Sequence, residues 1–132
     1  MTLENVRLVF RLGDTWASPR WAVLVNDLPV DLSTGGWRVN CQARRTDGAP
    51  IIQQWTTANG RIQLDYADVV FGDGQQGVTS TVQLRHSAVD SDGWDPFAAG
   101  FEVEIERGSG SNIERYTVVS GRMIAVQDLA DE

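Results

Sequence analysis

The chain has 132 residues, enough for one domain with a sizeable hydrophobic core. Its formal charge of −7, with all eleven cations arginine, argues against nucleic acid or an anionic membrane as a main partner, because phosphate binding needs clustered cations. One cysteine rules out a disulfide within the chain, and no apolar run approaches the roughly 18 residues of a spanning helix.

Period-2 alternation dominates from the start, and helical periodicity is nearly absent. Val6, Leu8, Phe10 and Leu12 alternate with Arg7 and Arg11. A bend is expected at Gly13-Asp14-Thr15, and a second run at Trp21, Val23 and Val25. Turns at Asn26–Pro29 and Asp31–Gly36 lead to the cleanest strand, Trp37 to Arg44, whose inward set is Trp37, Val39, Cys41 and Ala43. Cys41 in that phase reads as a small buried hydrophobe, not a reactive thiol. Ile51 to Trp55 form the next strand. Asn59-Gly60 is the strongest short hairpin signal, and it leads into Ile62, Leu64 and Tyr66.

Residues 67–77 read as a turn-rich connection, followed by a strand at Val78, Val82 and Leu84. Residues 87–100 form the longest irregular stretch. Phe101, Val103 and Ile105 alternate with Glu102, Glu104 and Glu106. A loop at Gly108–Ser111 would set Val103 opposite Tyr116, Phe101 opposite Val118 and Glu104 opposite Arg115. The three glutamates read most simply as a solvated strand face, with an acidic docking face or a cation site as the alternatives. Arg115–Ser120 and Met123–Gln127 close the chain as two strands. The sum is an all-β domain spanning residues 1–132, an immunoglobulin-like β-sandwich of eight or nine short, mostly antiparallel strands.

No constellation of side chains announces catalysis. Asp90, Asp92 and Asp95 lack the ligand ladder of a helical calcium hand, and the same residues serve a bare turn. His86 is the single histidine, which with one cysteine leaves no conventional zinc site within the chain. There is no G-x-S-x-G and no glycine-rich phosphate loop. No enzymatic activity, metal or cofactor is expected. Five tryptophans are many for this length. Trp21 and Trp37 are in phase with inward residues and read as core. Trp16, Trp55 and Trp94 lie at a bend, a strand end and a loop, where they would cover the end of a sandwich, anchor an interface or stack on sugars.

The order Gly13-Asp14-Thr15, Trp21-Ala22-Val23, Pro29-Val30-Asp31-Leu32 and Thr34-Gly35 resembles the immunoglobulin-like N-terminal domain of phage baseplate upper proteins. Asn59-Gly60-Arg61-Ile62 and Pro96 to Val103 extend the similarity over roughly residues 8–127. Two departures stand out. The stretch from Tyr66 to Phe101 looks long for the family, and the further sequence with which family members hold receptor-binding proteins is not found after this domain.

The resemblance implies a non-enzymatic structural component of a tailed-phage virion, in the tail, baseplate or connector. Such a protein would be made in the host bacterial cytoplasm and dock onto other virion proteins in multiple symmetric copies, without nucleic acid or membrane. A capsid decoration protein is a variant of this expectation. A carbohydrate-binding module using loop tryptophans is the rival. The interface residues expected on these grounds are Trp16, Trp55, Trp94 and Phe97, with Arg44 and Arg45 as polar anchors.

Overall fold

The computed structural model describes residues 2–71 and 73–127. Strands in chain order are β1 (Leu3–Arg11), β2 (Trp16–Ala17), β3 (Trp21–Ala22), β4 (Leu24–Val25), β5 (Leu28–Pro29), β6 (Arg38–Arg44) and β7 (Gln53–Thr56). They continue with β8 (Ile62–Val70), β9 (Gln76–His86), β10 (Phe97–Arg107) and β11 (Glu114–Val126), with one short helix, α1 (Ala88–Asp92), between β9 and β10. A five-stranded sheet runs β1-β11-β10-β6-β7. Its β1 and β11 are parallel, and its other pairs are antiparallel. In the second layer β9 is central, with β8 along one edge and the short β2 and β3 along the other.

The architecture is all-β and sandwich-like, because each layer offers one apolar face to a shared core. From the larger sheet come Leu8, Phe10, Val39, Cys41, Ala43, Val103, Ile105, Val119 and Met123; from the smaller come Trp21, Ile62, Val82 and Leu84. The alternation that marks β1, β6 and β10 in the sequence is the alternation between this core and solvent. Burial drives the Cys41 thiol well above its ordinary range, with Glu102 and Glu104 adding to the effect, so the thiol is inert.

The turns of the first third are built as their residue types require. Asn26 and Asp27 both adopt positive φ between β4 and β5, the conformation of a two-residue hairpin turn. Asp31 Oδ1 accepts from Ser33 N at 3.0 Å, closing an Asx turn that lets Leu32 drop into the core. At the Gly13 bend, Asp14 N donates to Arg11 O.

Several expectations need correction. Asn59-Gly60 does not close a hairpin. Thr56 and Asn59 bond reciprocally, each backbone N to the other's side-chain oxygen at 2.9 Å, and the turn carries the chain from β7 in one sheet to β8 in the other. Residues 67–77 are not a turn-rich connection throughout, for β8 and β9 stay paired out to Val70 opposite Gln76. The register of β10 on β11 also differs. Phe101 lies opposite Gly121, Val103 opposite Val119, Glu104 opposite Thr117 and Ile105 opposite Tyr116. The turn is centred later than expected, and a bulge inserts Val118 as an extra residue beside Val119, so both valines are buried. The last two expected strands are one, β11, continuous through Gly121. The irregular stretch after His86 contains α1, capped by Ser87 and Asp90 in a reciprocal capping box.

Candidate docking surface on the five-stranded sheet

The loop tryptophans belong to the end of the core. Trp55, on β7, is fully buried, and Phe97 at the start of β10 is nearly so. Trp16 and Trp94 are half-buried and pack on the same cluster. At its centre stands Phe10, with ring centroids 4.8 Å from Trp16, 4.8 Å from His86 and 6.1 Å from Phe97. Sealing the sandwich end is therefore what Trp55 and Phe97 do, and the exposure an interface anchor needs is missing at both. Trp55 and Trp94 meet at 88°, so they form no flat pair of the kind a sugar ring stacks on.

His86 is held inside this cluster. Trp55 Nε1 donates to His86 Nδ1 at 3.3 Å, so the neutral ring carries its proton on Nε2, which has no hydrogen-bond partner among the described residues. Burial pushes the imidazole down to about 4; the nearby Arg61 guanidinium acts in the same direction and Asp90 opposes it. Arg61 also lies 5.1 Å over the Trp94 ring and 3.6 Å from Asp90. Asp90 is thus committed to Arg61 and to the helix cap. Among the described residues no group of three or more His, Cys, Asp or Glu side chains could hold a metal ion.

The surface that collects uncommitted polar groups lies on the outer face of the five-stranded sheet. Its strands bring three arginines into one line across the sheet: Arg7 is paired with Arg122, Arg122 with Gly100, and Gly100 with Arg44. Gly100, lacking a side chain, floors a groove of about 860 Å³ that these arginines border together with Glu102 and Gly121. Arg44 is fixed, donating to Ala49 O at 2.7 Å and to Gln42 Oε1 at 2.9 Å. Arg45, just beyond β6, is exposed. The side chains of Arg7, Arg122 and Glu102 have no hydrogen bond or ion pair within the described residues.

Farther along the same face the charges are internally satisfied. Arg115 reaches both Glu104 at 3.4 Å and Glu106 at 3.0 Å, while Arg38 approaches Glu106 from β6 at 3.4 Å. The hydrogen bond from Arg115 holds the Glu106 carboxyl below its usual range. Partial burial, reinforced by Glu102 and Glu106, raises that of Glu104 despite Arg115. The acidic row is therefore largely a structural ion-pair network, with Glu102 as its free member.

Of the residues expected at an interface, only Arg44 lines this groove, with Arg45 beside it. Gly100, Arg122 and Arg7 are not among them. Their strand phase is visible in the sequence, but their alignment across three strands depends on register. Comparison with known proteins finds no family model and no curated protein that matches the chain.

Proposed function

We propose that this chain is a non-enzymatic structural component of a tailed-phage virion, an immunoglobulin-like docking module of the tail, baseplate or connector. The observation that carries this reading is the strand order. The order β3-β9-β8 in one layer and β11-β10-β6-β7 in the other supports an immunoglobulin-like reading, since a variable-type sandwich would also carry an added strand beyond β6. The parallel pairing of β1 with β11 completes the larger sheet.

Two further observations support it. The Gly13 bend and the Asp31 turn, which carry much of the resemblance to baseplate domains, both serve as turn devices that set the first strands. The groove floored by Gly100 has the character of a contact surface, being open, bordered by charged side chains and built on paired strands. Docking would use this outer face with Arg44 and Arg45 at its margin. The partners are other virion proteins in several symmetric copies, and the chain reaches the particle from the host cytoplasm.

The test is to purify particles by density gradient from the producing host and quantify the chain by mass spectrometry. The proposal predicts a fixed number of copies per particle. A chain that is abundant in the lysate yet missing from purified particles would overturn it.

A further inference from the structure

The outer face carries a knob and a hole on one strand. Glu102 is exposed and unpaired within the described residues, and Gly100, two positions earlier on β10, leaves an empty site between Arg44 and Arg122. Neighbouring strands lie about 4.8 Å apart and residues i and i+2 about 6.8 Å apart. The two arginine backbones therefore flank Gly100 symmetrically, and the carboxylate projects one side-chain pair farther along. The fold itself does not require this glycine. A Cβ at Gly100 would meet nothing closer than Arg44 O at 3.7 Å, an ordinary contact. At Gly121, by contrast, a Cβ would lie 1.8 Å from Val6 O.

We propose that this face pairs with the same face of a second copy of the chain. Consider a two-fold axis lying in the face, across the strands, midway between Gly100 and Glu102. It sets the Glu102 of each copy over the Gly100 of the other, between Arg44 and Arg122. Both contacts form at once, as a closed two-fold interface demands. Each sets a carboxylate against a site flanked by two arginine positions, and opposite charges meeting across an interface favour specific pairing. Five strands at about 4.8 Å span about 24 Å, wide enough for the roughly 1,200 Å² that a stable interface buries in total. The inference rests on reading this face as a docking surface and makes its occupant a second copy of the chain, leaving the other virion proteins to the remaining surfaces.

The experiment is sedimentation velocity on wild type and on three variants, with circular dichroism confirming that each is folded. Wild type is expected to dimerise, more weakly as salt is raised. E102R sets an arginine between two arginines, and R122E sets a glutamate beside a glutamate, so each alone should weaken dimerisation about tenfold or more. An equal mixture of E102R and R122E chains should recover dimers, because one contact is then unchanged and in the other the introduced arginine meets the introduced glutamate. G100V fills the hole without adding charge and should remain folded but monomeric. A wild type that stays monomeric at the highest soluble concentration overturns the inference. So does a dimer that survives both charge reversals, or a mixture that fails to reassociate. Particle incorporation is read separately: a monomeric chain still found in particles rejects the dimer and keeps the docking role.

Discussion

Lowering the pH should destabilise this domain before any carboxylate with a lowered pKa is protonated, and His86 is the reason. Its imidazole is pushed down to about 4 in the folded protein, chiefly by burial, from an ordinary 6.5. In the unfolded chain the ring charges as pH falls through 6.5, whereas in the folded chain it stays neutral until about pH 4. Stability is therefore complete above pH 6.5 and declines between these two values. Each tenfold difference in proton affinity between the two states is worth about 1.36 kcal/mol. From about pH 7.5 to about pH 5.0 the linkage thus amounts to about 2 kcal/mol, or about 1 to 2 kcal/mol after allowing for solvent screening. Asp90, Glu106 and Glu114 have lowered pKa values, so their contribution is present above their unfolded values and is lost only at more acid pH. Glu104, raised chiefly by partial burial, acts in the opposite sense.

The assay is urea denaturation at about pH 7.5 and about pH 5.0, on wild type and on His86→Gln. Glutamine can still accept from the Trp55 indole N–H but cannot charge. Its absolute stability will fall, yet its pH dependence over this interval should be nearly flat. The reasoning fails if wild type loses less than about 0.3 kcal/mol across the interval, or if His86→Gln retains the wild-type slope.

Trp55→Ala should cost about 3 to 5 kcal/mol in chemical denaturation, since it empties the middle of a sealed aromatic cluster. Gly121→Ala should cost about 3 kcal/mol or more and expose β1 to amide exchange, because the new methyl falls on Val6 O. Ser87→Ala removes the acceptor for Asp90 N and should lower stability by about 1 kcal/mol, seen as a shifted thermal midpoint.

Period 2 reads the middles of the long strands, though not the far ends of β8 and β9 or the continuity of β11. The turn chemistry of Asn26-Asp27 and Asp31 is equally legible, because both depend on near neighbours in sequence. What stays hidden depends on residues far apart. Asn59-Gly60 has the composition of a hairpin turn, yet whether a turn joins paired strands or crosses between layers is decided by the core. The later turn moves the partner of Glu104 and the bulge at Val118 moves those of Val103 and Phe101, and no local signal marks which of two adjacent valines is the extra one. Ser87-x-x-Asp90 does carry a capping-box signal for α1, overshadowed by the turn residues around it. Position in the chain does not settle the role of the loop tryptophans, and only tertiary packing with Phe10 and His86 assigns them to the core. The groove follows the same logic: three arginines from three strands become neighbours only through register.

The parallel pairing of β1 with β11 also fixes how this domain would carry mechanical load. Thr2 lies beside Thr117 near one end of the ladder, while Leu12 N bonds Val126 O at the other, so the chain enters the sheet at one end and leaves at the opposite one. A pull on those two points runs along both strands and strains their cross-strand hydrogen bonds together, in shear. An antiparallel terminal pair would instead unzip, its bonds breaking in succession. The first and last strands thus form a clamp oriented along the line between its attachment points.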